Sequence, residues 1–153
     1  MNKQEKYQNT LNLLADINDE NGKIDLKKNS NNFLNILHEE FKSFSWLGFY
    51  MLNDSKDELL LGEYIGGPAT KVILINSGVC GKCAREGISI LVPDVSNFEG
   101  HIACSLSTRS EICVPIRINK EFIGLLDIDS DKLNNFDETD KKYLERIGNQ
   151  IGR

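Results

Sequence analysis

No run of the chain approaches the ~20 consecutive apolar residues that a membrane-spanning helix needs, so no span is expected in its 153 residues. The opening residues, Met-Asn-Lys-Gln-Glu-Lys-Tyr, have no apolar stretch behind them, which argues against a secretory signal. Both absences predict a cytoplasmic protein whose thiols stay reduced. An excess of positive charge is missing too. Lys and Arg number 18 against 23 Asp and Glu, a net charge of −5 that disfavours nucleic acid or an anionic membrane as a partner. Repeats, linkers and low-complexity tracts are lacking, so residues 1–153 read as one domain large enough for a real core.

Histidine is scarce as well, with only two, and tryptophan occurs once. Four cysteines in a reduced setting need a reading other than a disulfide framework. Cys80-Gly-Lys-Cys83 is a C-x-x-C, followed by Cys104 and Cys113. Zinc, redox cycling and plain burial compete for this pattern. Structural zinc sites usually pair two short motifs, and there is no second C-x-x-C. Zinc on Cys80 and Cys83 with Cys104 plus Cys113 or His101 is therefore the weaker reading, and no metal or other cofactor is expected. A Cys–His hydrolase lacks a recognisable oxyanion hole.

Apolar spacing predicts helices over 2–17 (Tyr7, Leu11, Leu14, Ile17) and about 31–43 (Phe33, Leu34, Leu37, Phe41). The aromatic run 45–52 and residues 58–65 read as a hairpin, with further strands at 71–75 and 88–92. A short helix over 78–87 carries the C-x-x-C and stops at Gly87. Residues 111–118 and 122–129 alternate, with Ile112, Val114, Ile116, Ile118, Phe122, Gly124, Leu126 and Ile128 on one face. Asp137 caps a terminal helix striped by Tyr143, Leu144, Ile147 and Ile151. The pattern predicts an α+β fold, a central antiparallel sheet of about six strands with the N- and C-terminal helices packed on one face.

A hairpin centred on Lys120 puts Glu111 opposite Asp129 and Cys113 opposite Asp127. Three carboxylates then cluster at its open end, and one should hold its proton more tightly. A protonated carboxyl can donate to a substrate oxygen while the others hold a cationic group. A solvated edge without function is the competing reading. Cys104 lies in the polar loop Gly100-His-Ile-Ala-Cys-Ser-Leu-Ser-Thr-Arg-Ser-Glu111, with His101 and Arg109 as candidate cations, against the alternative of a buried inert thiol. Trp46 and Tyr50 share one strand face across Gly48; they are ordinary core aromatics or the wall of a small-molecule site, with Gly48 leaving a gap between the rings.

Several motifs occur in order: Trp46-Leu-Gly-Phe-Tyr50, Gly78-Val-Cys-Gly81, Val92-Pro-Asp-Val95, Gly100-His-Ile-Ala-Cys104, Ser110-Glu-Ile112, Gly124-Leu-Leu-Asp-Ile-Asp-Ser130 and Phe136-Asp137. Over roughly residues 30–150 the chain resembles the free methionine-(R)-sulfoxide reductase family, which has a GAF-type fold. The resemblance implies that Cys104 is the nucleophile that attacks the sulfoxide sulfur. Glu111, Asp127 and Asp129 match acids that bind the sulfoxide oxygen and the substrate amino group, Trp46 packs on the substrate methyl, and Tyr50 is a pocket aromatic. It further implies a sulfenic acid, then a disulfide that thioredoxin or another thiol reductant reopens, in a monomer or homodimer that meets oxidative stress.

One position departs from the family. The family's usual resolving cysteine, ten residues before Cys80, is Thr70 here. Cys80 is retained and is the favoured resolving thiol, with Cys83 and Cys113 as alternatives or an external thiol acting directly. Two other functions stay open: a GAF module that binds a small molecule without turnover, and a zinc- or thiol-based redox sensor using Cys80, Cys83 and Cys104.

Overall fold

A computed structural model describes residues 1–102 and 106–152. The elements run α1 (Lys3–Ala15), α2 (Leu26–Glu40), β1 (Trp46–Leu52), β2 (Glu58–Ile65), β3 (Val72–Leu74), α3 (Gly78–Glu86), β4 (Ile90–Val92), β5 (Ser110–Ile118), β6 (Glu121–Ser130) and α4 (Glu138–Gly148). Six strands form one antiparallel sheet in the order β3-β2-β1-β6-β5-β4. This is the expected α+β arrangement.

The sheet buries both faces. On one, α1, α2 and α4 cover Leu47, Phe49, Ile112, Val114, Ile116, Leu126 and Ile128. On the other, α3 closes a smaller core with Trp46, Tyr50, Leu59, Ile73, Cys113 and Leu125. The face that points away from the large core is thus not solvent-washed, and that decides the character of the acids on it. Among the described residues no helix is long and apolar enough to cross a membrane.

Helix α2 begins five residues earlier than its apolar stripe suggests. Asp25 caps it, accepting from the Lys27 amide at 2.9 Å, and Leu26 is buried. The polar run between them and Phe33 hides the start from periodicity. The helix ends at Glu40 because Phe41 leaves helical geometry to stack on Phe44, ring centroids 4.7 Å apart.

A buried acid fastens α1 to α4. Asp140 accepts from Tyr7 Oη and Lys3 Nζ, both at 2.6 Å, and from the Asp137 amide at 2.8 Å, completing the capping box of α4. Asp140→Ala strands the fully buried Tyr7 hydroxyl and should destabilise the fold by about 3 kcal/mol in urea melts. Tyr7→Phe, which leaves Asp140 paired with Lys3, should cost about half as much.

Candidate active site

Strand register assembles the site. Trp46 of β1, Asp129 of β6, Glu111 of β5 and Val92 of β4 stand in one row across the sheet. Gly48, Asp127, Cys113 and Ile90 form the next row. Alternation turns the three carboxylates and both aromatics to the face closed by α3. None of Glu111, Asp127 and Asp129 is more than 4% exposed, which rules out a solvated edge.

Burial sets their chemistry. Removal from water pushes the Asp127 carboxyl well above its ordinary value, and the charge of Glu111 and a hydrogen bond to it push the same way. This favours one proton held between Asp127 and Glu111, and Asp127 Oδ1 also accepts from Cys113 Sγ at 3.2 Å. Glu111 has a further partner that strand spacing could not supply. His101 Nε2 lies 2.9 Å from Glu111 Oε1. Burial lowers the His101 pKa despite the opposing charge of Asp127, which favours a neutral ring in contact with the acid. Of the two candidate cations, His101 thus stands on Glu111. Arg109 is exposed and bears on Asp94, so it does not enter the cluster.

Trp46 is buried between two glycines. A Cβ on Gly48 would lie 2.8 Å from its Cη2, and one on Gly66 (φ +132°) 2.6 Å from its Cδ1. Gly48 therefore makes room for the indole itself rather than leaving a gap for a ligand. Tyr64 and Tyr50 stack on it at 5.6 and 6.1 Å. The buried Trp46 Nε1–H meets no acceptor among the described residues. Tyr50 is also fully buried, and its hydroxyl donates to the Thr70 carbonyl at 2.7 Å, tying β1 to the loop before β3.

Trp46 and Asp129 line an open cleft of about 170 Å³ with Ser45, Gly67, Pro68 and Thr108. That is below the ~300–1,000 Å³ of drug-sized sites and suits a small molecule. Beside it, Glu111, Asp127, Cys80, Val79 and Ile102 enclose about 10 Å³, room for one water.

The cysteines divide. Cys104 lies outside the described residues. Cys80, Cys83 and Cys113 are free, buried thiols in the core closed by α3, Cys80 and Cys113 beside the acids. Cys80, Glu111, Cys113 and Asp127 offer ligand atoms all within 4.8 Å of one another, the set among the described residues that could hold a metal ion. It contains neither Cys83 nor a histidine, unlike the zinc set considered from the sequence. Four anionic donors on a divalent ion would leave two surplus buried charges, and the same acids would be lost to a substrate.

Similarity to known proteins converges on one family. The GAF-domain profile matches residues 25–153. A free methionine-R-sulfoxide reductase of Saccharomyces cerevisiae is 34% identical, with 100% of this chain and 87% of that protein covered. The protein of that name from Escherichia coli is 36% identical over 76% of this chain and 69% of its own length. The X-ray structure of free methionine-R-sulfoxide reductase from Neisseria meningitidis in complex with its substrate matches with a TM-score of 0.89 at 36% identity, covering 97% of this chain and 87% of that one. A row of buried acids beside an indole, in a sheet of this order, is thus found in a chain that belongs to the GAF-fold family of free methionine-(R)-sulfoxide reductases.

Proposed function

We propose that Cys104 of this L-methionine-(R)-S-oxide reductase attacks the sulfur of the free amino-acid sulfoxide while Glu111, Asp127 and Asp129 hold and protonate it. The observation that carries this reading is the burial of the three carboxylates in register with Trp46. The proton shared by Asp127 and Glu111 goes to the sulfoxide oxygen, which weakens the S–O bond. Oxygen passes to the Cys104 sulfur as a sulfenic acid, and methionine leaves. Asp129 and the remaining carboxylate charge bind the substrate ammonium, and the Trp46 indole packs on the S-methyl group. Substrate enters by the Trp46–Asp129 cleft and displaces Ile102 from over the acids, whose enclosed space is too small as it stands.

Cys80 then attacks the sulfenic acid, water leaves, and a Cys80–Cys104 disulfide forms; thioredoxin or another thiol of a reducing cytoplasm reopens it. His101 is a positioning residue for Glu111. His101→Phe should lower kcat about 10-fold with little change in KM, and His101→Gln, which can still donate to Glu111, should recover most of it. Steady-state kinetics of both variants check this.

The test is incubation with the separate R and S epimers and dithiothreitol. Turnover of R alone supports the reading; no turnover, or equal turnover, removes it. Thr70 favours one competitor, a module that binds the sulfoxide and does not recycle. That protein would bind the R epimer and release no more than one methionine per chain with excess thioredoxin.

A further inference from the structure

Cys80 and Cys113 are 33 residues apart in sequence, yet their Sγ atoms lie 3.4 Å from each other. Cys83, one turn further along α3, also hydrogen-bonds Cys113, so Cys113 faces two thiols of one helix. Cys113 is held by the sheet, paired with Ile90 on one side and Asp127 on the other. Cys80 sits in the first turn of the nine-residue helix α3. The third participant is Asp127, whose Oδ1 accepts from Cys113 Sγ. Two sulfurs in contact with a carboxylate on one of them are the parts of a thiol–disulfide exchange.

We propose that Cys80 and Cys113 form a buried redox pair that takes the oxidation off the catalytic thiol. The proposal rests on the reading of Cys104 as nucleophile and Cys80 as its first resolving partner. In the Cys80–Cys104 disulfide, Cys113 gives its proton to Asp127 and attacks Cys80 Sγ. The Cys80–Cys113 bond forms, the Cys80–Cys104 bond breaks, and Cys104 leaves as a thiolate that takes the proton back. No external oxidant or reductant enters the step. Cys104 is free to turn over again, while the oxidation is stored beside the acids in a bond shielded from bulky reductants. The stored bond discharges by the reverse exchange: the Cys104 thiolate attacks Cys80 Sγ, Cys113 leaves and is reprotonated, and the external thiol then reduces the Cys80–Cys104 disulfide. With Thr70 where a cysteine would otherwise resolve Cys104, the pair gives this chain its own second exit.

Two further features bear on the rate. The hydrogen bond with Cys113 alone would lower the Cys80 pKa, but burial and the charges of Asp127, Glu111 and Asp129 outweigh it and hold it well above the usual thiol value. Burial, then Cys80 and Cys83, push Cys113 up as well. The pair is therefore protonated at rest and slow towards stray oxidants, and it depends on Asp127 to start the exchange.

The test is methionine release by fully reduced protein without any reductant. The wild-type chain should release about two methionines, one for each oxidation it can hold, and Cys113→Ser about one. Serine keeps a donor to Asp127 and cannot form the bond, and Cys113→Val checks that lost packing is not the cause. Peptide mapping after one equivalent of substrate should find Cys80 joined to Cys113. Diamide applied to Cys104→Ser should produce the same link without catalysis. One methionine from the wild type, two from Cys113→Ser, or a Cys80–Cys83 link overturns the proposal. If no protein releases methionine, the catalytic reading has failed; the pair then stands on a Cys80–Cys113 link in the diamide arm and falls on any other pattern.

Discussion

Cys104→Ser should remove reduction of methionine-(R)-sulfoxide with dithiothreitol and with thioredoxin alike, by about 10⁴-fold or more. A hydroxyl at that position is a far weaker nucleophile and cannot accept the sulfoxide oxygen as a sulfenic acid, so no alternative path remains. The expected loss is chemical. The fold is held by the large core under α1, α2 and α4 and by the Tyr7–Asp140–Lys3 network, in which no described residue of the 100–109 loop takes part. Urea melts of the variant should therefore match the wild type. Cys80→Ser should behave differently, releasing about one methionine per chain and then stopping with thioredoxin, because the attack survives and the recycling does not. A Cys104→Ser protein with appreciable turnover would show that another thiol attacks.

Asp127→Asn should cost activity and add stability together. The folded-state pKa of Asp127 is raised by burial and by Glu111, the reverse of the usual carboxylate case. Between the unfolded value, near ~3.9, and the raised folded value, the native state holds a proton that the unfolded chain has lost. Stability must then fall as pH rises through that window and level off above it. Asparagine has no such titration. Its amide oxygen can still accept from Cys113 Sγ and its Nδ2 can donate to Glu111, so both native contacts have a replacement. We expect a gain of about 0.5–2 kcal/mol at pH 7 and a flatter stability profile between pH 5 and 8. The proton for the sulfoxide oxygen is gone, and kcat should fall by ~10²–10⁴. A variant that is destabilised and still active would contradict the shared-proton assignment.

The hairpin of β5 and β6 shows how far sequence could reach. Centring it on Lys120 correctly puts Glu111 opposite Asp129 and Cys113 opposite Asp127. The turn itself is the two-residue Asn119–Lys120, both with positive φ, which alone would slip the register by one. A bulge between Ile116 and Arg117 restores it. The same bulge turns Phe122 to the α3 side and gives Ile123 its place in the larger core, which strict alternation had reversed. Helix α3 was legible from Gly78 to the left-handed cap at Gly87. That it lies over the acids and buries them was not, because no local pattern records which face of a sheet a short helix covers. For the same reason the contacts His101–Glu111 and Cys80–Cys113 emerge only when the loop and α3 are folded onto β5. Motif resemblance supplied the roles of Glu111, Asp127, Asp129 and Trp46; the sheet register explains why those residues stand together.

Buried carboxylates are proposed to recognise the ammonium of a free amino acid in a cleft with little room beyond it. Comparing kcat/KM for free L-methionine-(R)-sulfoxide with that for its N-acetyl derivative tests this most directly. Acetylation removes the positive charge and leaves the sulfoxide intact. The expected result is a fall of ~10²-fold or more, as when a buried charge loses its partner. Equal values for the two substrates would contradict it.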